Sequence, residues 1–305
     1  MINIKPKYFF RSIGFFIFVY ILTLVDFARF QEVFGNVNIF LFTLSVLLTL
    51  AMILIKGKRW QYINRVQSID ISIFKIYKMF TLAIALGQVT PGRLGEFIKV
   101  RSLKKYSPDL AKRWSGVLID RIHDVIVLLF AGLVSVIFIT QIELNFSYMY
   151  VFLFILSILM FLFINKYWEV CLFWFIGRIL NQREYLSVKE KVKDVFNNFS
   201  KTFKASFFNS FCYSFISYFI QCIITLMIVF SMGASIPFYI IIIVISVSAF
   251  ASLLPITVGG LGTREGIYIY IFSQHGISIE TSLAIAFIDG ILIFTFFIGI
   301  LAFIF

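Results

Sequence analysis

Long apolar runs separated by short polar stretches dominate the chain. Many runs approach the roughly 20 residues that an α-helix needs to cross a hydrocarbon core about 30 Å thick. The strands of a membrane β-barrel would alternate apolar and polar residues, whereas a run such as Ile240 to Val244 is continuously apolar. The pattern predicts six spanning helices: Phe9 to Val25, Ile39 to Ile55, Val117 to Ile139, Tyr148 to Ile164, Phe207 to Phe230 and Ser282 to Phe305.

Composition supports a bilayer as the main solvent. Of the 305 residues, 61% are hydrophobic and only 14% are charged, a balance outside the range of soluble globular proteins. The expected fold class is therefore an all-α polytopic membrane protein. We expect a multi-pass protein located in the cell membrane.

The positive charge has a topological explanation. A net charge of +12 could indicate nucleic acid, but the basic residues fall in loops between the predicted spans, so we expect no nucleic-acid partner. Lys5, Lys7 and Arg11 precede the first span, whereas the loops near Glu143 and between 231 and 237 contain no Lys or Arg. By the positive-inside rule, both termini are expected in the cytoplasm.

A first interruption lies between two basic stretches that we expect in the cytoplasm, one containing Lys56 and Arg59 and the other containing Lys99. The apolar segment between them, Met79 to Thr90, has about 12 residues, or about 18 Å of helix, which is too short to cross. We therefore expect a re-entrant hairpin near 79–113 that faces the cytoplasm. It would break at Thr90, Pro91 and Gly92, because proline lacks an N–H and glycine permits a sharp turn.

A second interruption follows the apolar stretch Tyr239 to Leu254. Pro255 and three glycines stop this stretch, and the next apolar segment, Ile267 to Phe272, is too short to span alone. The pattern predicts a second hairpin near 239–275 that enters from outside.

The two interruptions resemble each other in sequence. The segment from Thr90 to Gly95, TPGRLG, aligns with the segment from Thr257 to Gly262, TVGGLG. Interrupted segments in two halves of opposite topology indicate an inverted repeat, here 1–140 and 141–305, with a site near the midplane. The alternative is that the glycines only allow close helix packing. The predicted break residues are Thr90, Pro91, Gly92, Gly95, Pro255, Thr257, Gly259, Gly260 and Gly262.

Charged residues within the apolar regions are the candidate site. Such residues are costly in hydrocarbon and usually face a partner or a cavity. The candidates are Arg93, Glu96, Asp120, Arg121, Arg264, Glu265 and Asp289. We expect the hairpin charges and Asp289 to converge on one polar cavity, with an arginine pairing Asp289.

Each candidate has an assigned role or an alternative. The N-termini of half-helices favour an anionic group such as phosphate, for which Arg93 and Arg264 would be donors. Arg93 and Glu96 could instead be solvated at the interface. Asp120 and Arg121, placed at the start of a helix, could form a charged interfacial rim, with Arg121 pointing away from Asp120 and Asp124.

Motifs for other chemistry are missing. The sequence contains no zinc-protease, P-loop or nucleophile-elbow motif, and its three cysteines lack metal-like spacing, so we expect no enzyme activity, cofactor or metal. The stretch from Lys166 to Lys204 is interpreted as an amphipathic segment on the inner leaflet, with a solvated connector as the alternative.

Several of these residues resemble a known family. The Pro91 to Glu96 segment, the Asp120–Arg121 pair, and Pro255 followed by the glycine motif and Glu265 are similar to the transmembrane region of lysylphosphatidylglycerol synthases and its free-standing, flippase-like relatives. Val258 departs from the proline often found there. The sequence does not include the aminoacyl-transferase domain, so the resemblance implies lipid translocation rather than lysine transfer.

The preferred hypothesis is a flippase-like transporter of an anionic lipid, either a phospholipid or a polyprenyl-phosphate carrier. Asp289, Glu96 and Glu265 are the candidate carriers of a coupling proton or ion. A membrane enzyme or subunit acting on a lipid-linked precursor, with Asp120, Asp124 and Glu265 as acid and base, is one alternative. A scaffold for an envelope-synthesis complex is the other.

Overall fold

All regular structure in the described residues is helical. The computed structural model describes residues 16–90, 92–139, 182–253, 257 and 259–290. Its helices are α1 (16–24), α2 (Phe27–Gly35), α3 (Ile39–Val66), α4 (Ile73–Gln88), α5 (Ile98–Ser102), α6 (Leu110–Ile139), α7 (Gln182–Ser231), α8 (Phe238–Leu253), α9 (Thr263–Ser273) and α10 (Ile279–Asp289). Short 3-10 turns at Leu94–Phe97 and Leu103–Lys105 flank α5.

Two described helices have the length and composition of membrane spans. They are α3 and the part of α7 from Lys189 to Ser231. Large apolar side chains such as Phe40 and Phe208 are three-quarters exposed on these helices, as expected for surfaces in contact with lipid. The predicted span Tyr148 to Ile164 and parts of the first and last spans lie outside the described residues. The number of spans therefore stays a prediction.

Helices α3 and α6 are longer than the apolar runs that predicted them. α3 continues to Val66 instead of ending at Ile55, and α6 begins at Leu110 instead of Val117. The polar extensions remain helical because many of their polar side chains are buried and paired, not solvated in loops. Asp120 and Arg121 consequently lie in the interior of α6, so their predicted position at a helix start is wrong.

The long helix α7 organises the fold. It contains 50 residues, or about 75 Å of helix, and packs along both α3 and α6. A stripe of small side chains, Ser206, Ser210, Ser214 and Ser217, is buried on one face, as is typical where membrane helices approach closely. Residues 182–204 thus belong to the same helix as the predicted span Phe207 to Phe230, and not to a separate segment.

Each half of the described chain contains a helix, a glycine break and a shorter helix. α4 and α8 both have 16 residues, and each packs against the short helical segments that follow its break. α4 begins at Ile73, six residues earlier than Met79, yet at about 24 Å it remains shorter than a hydrocarbon core. The membrane side on which each hairpin opens, and the repeat boundary at 140, stay predictions.

Both breaks contain backbone that only glycine adopts readily. Gly92 has φ 59°, and Gly259, Gly260 and Gly262 have φ 59°, 84° and 83°. Pro91, Pro255 and Val258 lie outside the described residues. In the first break the hydroxyl of Thr90 accepts a hydrogen bond of 2.7 Å from the Gly95 N–H, which ties the two arms of the hairpin together.

Candidate functional site

A cavity of about 200 Å³ lies where the two breaks face α3, α6 and α7. Its charged lining consists of Lys56, Arg93, Glu96, Arg121, Asp124, Arg264 and Asp289. Its apolar lining includes Met52, Ile53, Phe80, Ile84, Val125 and Leu128. A space with a charged wall beside an apolar one suits an amphipathic ligand.

The cavity brings together most of the charged residues singled out in the sequence. Arg93 and Glu96 come from the first break, Arg264 from the second, Arg121 from α6 and Asp289 from the end of α10. Asp120 and Glu265 are fully buried and do not line the cavity; each is bonded to an arginine that does. Their role in binding a substrate stays a prediction.

Asp120 is the centre of a buried ion-pair network. Its carboxylate accepts from Arg59 on α3 at 2.6 Å and from Lys99 on α5 at 2.9 Å, and all three side chains are fully buried. The Nη1 of Arg59 also contacts Asp124 at 2.5 Å. Because several polar partners surround each charge, the network can exist away from water.

Arg121 links this network to the cavity wall. Its Nη1 lies 2.6 Å from Glu96, and its Nη2 lies 3.2 Å from Asp120 and 3.0 Å from Asp124. The expectation that Arg121 points away from the two aspartates is therefore wrong. The Cα atom of Arg121 does lie on a different face of α6 from Asp120 and Asp124. The long side chain nevertheless bends back toward them, because its guanidinium group can bind three carboxylates at once. Glu96 is 3% exposed, so it is not the solvated interfacial residue of the alternative interpretation.

The second break uses its glutamate to cap a helix. The Gly262 N–H donates to Glu265 Oε2 at 2.6 Å, and Arg264 Nη2 donates to Glu265 Oε1 at 2.8 Å. The bond from Gly262 satisfies an N–H that would otherwise be unpaired at the start of α9. Arg264 then packs directly against Gly290, where an added Cβ would overlap its guanidinium group.

Asp289 is not paired with an arginine. Gln221 Nε2 donates to its Oδ1 at 2.8 Å, Thr225 Oγ1 donates to the same oxygen at 2.7 Å, and the hydroxyl of Tyr268 contacts Oδ2. No basic side chain of the described ranges lies within 4.0 Å, so the expected arginine pair is wrong. Arg264 is held by Glu265 instead. The neutral donors satisfy the carboxyl group without a counter-ion.

Two cations of the cavity wall have no anionic partner. Among the described residues, the side chains of Lys56 and Arg93 make no hydrogen bond or salt bridge, and Arg93 Nε is buried without an acceptor. Arg93 also adopts a left-handed backbone, φ 56° and ψ 29°, which costs a non-glycine residue roughly 1 to 2 kcal/mol. The break therefore holds an unpaired guanidinium group in a strained position beside the cavity.

Several residues of the site were missed in the sequence. Arg59, Lys99 and Lys56 were interpreted only as markers of cytoplasmic loops, because they follow or precede apolar runs. Helical periodicity could have identified Arg59. Asp120 and Asp124 share a face of α6 and require a buried cation, and Lys56 and Arg59 share a face of α3. Gln221, Thr225 and Tyr268 gave no signal, since isolated neutral polar residues are common in such helices.

The balance of charge favours an anionic ligand. The described cavity wall carries four cations and three carboxylates, an excess of one positive charge. Behind the wall, the charges of Arg59 and Lys99 are balanced by those of Asp120 and Glu265. In the ranges that the structure describes, no cluster of three or more His, Cys, Asp or Glu residues could hold a metal ion. The groups available for recognition are thus guanidinium and ammonium donors.

Comparison with known proteins gives one match. The chain matches no curated protein and no solved structure. Residues 11–302 match the family described as the lysylphosphatidylglycerol synthase TM region. This match covers nearly the whole chain, including both breaks and all the charged residues of the cavity. The chain belongs to the family of the lysylphosphatidylglycerol synthase transmembrane region.

Proposed function

We propose that the protein is a flippase-like transporter that moves an anionic lipid between the leaflets of the cell membrane. The lipid would be a phospholipid or a polyprenyl-phosphate carrier, with its phosphate in the cavity and its chains in the bilayer. In this proposal the chain is a multi-pass protein with both termini in the cytoplasm. Membrane lipids are its partners, and it carries out no covalent chemistry.

The observation that carries the proposal is the unpaired state of Lys56 and Arg93. Both side chains are half-buried in the cavity wall, and a cation withdrawn from water without a partner is costly, so such groups persist mainly where a ligand supplies the opposite charge. Arg93 is attracted by the more distant charges of Glu96 and Asp124 and repelled by those of Arg121 and Arg264. A phosphate between Lys56 and Arg93 would relieve this repulsion and satisfy both donors.

The family of the chain and the apolar lining of the cavity both support a lipid ligand. Membership in the family indicates a lipid-related function in a membrane. The apolar part of the cavity, which includes Phe80 and Ile84, would accept the first methylene groups of the lipid next to its head group. A free inorganic anion would not need this wall.

The arrangement of the breaks supports alternating access. Each predicted repeat would contribute one break to the cavity, and the backbone of Gly259 in the second break approaches that of Gln88, which precedes the first. Rocking of one half against the other around this contact would expose the head group first to one leaflet and then to the other. In an inverted repeat the two states would have similar energies.

Reconstitution into liposomes tests the proposal. Purified protein is incorporated into vesicles that contain head-group- or chain-labelled phosphatidylglycerol or phosphatidylcholine, and the labelled lipid accessible from outside is followed with time. The proposal predicts faster transbilayer movement of phosphatidylglycerol than of phosphatidylcholine, with no change in lipid mass. A new lipid product would support the enzyme alternative, and neither movement nor product would support the scaffold.

A further inference from the structure

Asp289 differs from every other carboxylate of the site. Glu96, Asp120, Asp124 and Glu265 each contact at least one arginine or lysine within 4.0 Å. Asp289 is 8% exposed and contacts only neutral donors among the described residues. Of the three carboxylates considered for a coupling ion, Glu96 and Glu265 are therefore committed to ion pairs, and Asp289 is not.

The position of Asp289 on its helix also disfavours a permanent negative charge. It is the last residue of α10, where the partial negative charge of the helix C-terminus lies. The Glu265 carboxylate sits in the opposite setting, at the start of α9, where the helix stabilises it. A proton on Asp289 would remove the unfavourable interaction.

The hydrogen bonds around Asp289 can serve both a charged and a neutral carboxyl group. The hydroxyl of Thr225 has a single hydrogen but two acceptors, Asp289 Oδ1 at 2.7 Å and the Gln221 carbonyl at 3.1 Å. When the carboxylate is charged, the Thr225 and Tyr268 hydroxyls both donate to it. When Oδ1 carries a proton, it donates to the Thr225 oxygen, the Thr225 hydrogen turns to the Gln221 carbonyl, and Tyr268 still donates to Oδ2.

The other charged and titratable groups near Asp289 come from α7 and α9. On α9 they are Tyr268, which bonds the carboxyl group directly, and Arg264, whose guanidinium group packs on Gly290 and donates to Glu265. On α7 the buried thiol of Cys222 interacts electrostatically with Asp289. Among the described residues, Arg264 is a cation whose position could respond to the charge on Asp289, and both line the cavity.

From this geometry we infer that Asp289 binds a proton in one state of the transport cycle and releases it in the other, so that proton movement drives the lipid. The inference rests on the proposed lipid translocation. Proton uptake converts the carboxylate to a carboxyl group with no other bond made or broken. Because Arg264 and Asp289 face the same cavity, loss of the negative charge leaves more net positive charge for the incoming phosphate.

A transport experiment distinguishes this inference from the proposed function. Proteoliposomes with an internal pH dye and labelled phosphatidylglycerol are exposed to a pH difference, and lipid movement and internal pH are recorded together. The wild type is expected to accelerate lipid movement several-fold in one direction and to move protons with the lipid. Asp289→Asn is expected to keep equal, gradient-independent exchange and to lose lipid-linked proton movement. Glu280→Gln, which alters another buried carboxylate of α10, is the matched control and should behave as the wild type.

The outcomes separate clearly. Absence of lipid movement by the wild type overturns the proposed function, whereas lipid movement that ignores the pH difference, or a sodium requirement, overturns only the proton inference. If Asp289→Asn fails to fold, infrared difference spectra of the wild type at two pH values provide a second measurement. A protonated-carboxyl band that changes in Thr225→Val supports the inference, and a band that stays unchanged contradicts it.

Discussion

Gly259 lies in the second break and Gln88 at the end of α4 before the first, yet their backbones are in contact. A Cβ added at Gly259 would overlap the carbonyl group of Gln88 at the end of α4. The residues are separated by most of the chain, so the contact joins the two halves beside the cavity. Gly259 also has φ 59°. Two separate reasons, conformation and proximity, therefore require glycine here.

Substitution of Gly259 tests this contact. An alanine at positive φ costs about 1 to 2 kcal/mol, and overlap with a rigid backbone adds about 1 to 3 kcal/mol. Gly276 is the matched control, because it has φ 76° but open space around its Cα. Thermal unfolding in detergent is expected to show a larger fall in Tm for Gly259→Ala than for Gly276→Ala. Equal falls would show that the breaks do not press on each other.

The buried pair of Arg59 and Asp120 is expected to be essential for stability. Arg59→Met would leave the Asp120 carboxylate with one cation fewer in a fully buried position, at a cost of about 3 to 5 kcal/mol. Arg65→Met is the control, since Arg65 pairs with Asp70 at an exposed site and such pairs contribute at most about 1 kcal/mol. Thermal unfolding or yield of monodisperse protein measures the difference. Similar behaviour of both variants would rule out a structural role for the network.

The topology can be measured by labelling single cysteines. In a background without native cysteines, a cysteine at Asn145 is expected to react with an impermeant reagent added outside, because its loop lacks basic residues. A cysteine at Arg65, which lies in the last turn of α3 at its basic end, is expected to react only after the membrane is opened. Labelling of Asn145 from the cytoplasmic side alone would invert the scheme and the assigned directions of both hairpins.

The sequence predicted the helices and breaks better than the partners of the charges. Apolar runs and glycine motifs report local chain properties, so α3, α6 and the two 16-residue arms could be expected. The end of α3 was misjudged because Arg59 looks like a loop residue until its pairing with Asp120 is known.

The partners of Asp289 show the same limit. An arginine was the obvious counter-ion for a buried carboxylate, but three neutral donors from α7 and α9 replace it. Which long side chain reaches which carboxylate depends on packing between distant segments. A single sequence carries little information about that packing.

The most direct test of anionic-lipid transport compares Lys56→Gln and Arg93→Gln with Lys58→Gln in the liposome assay. Lys58 is exposed two residues from Lys56 on the same helix, so its variant removes the same charge outside the cavity. Both cavity variants should unfold at or above the wild-type temperature, because each removes a half-buried charge that has no anionic partner. The account predicts that phosphatidylglycerol movement falls at least tenfold in Lys56→Gln and Arg93→Gln and is unchanged in Lys58→Gln. Wild-type rates in both cavity variants, with the proteins folded, would contradict it.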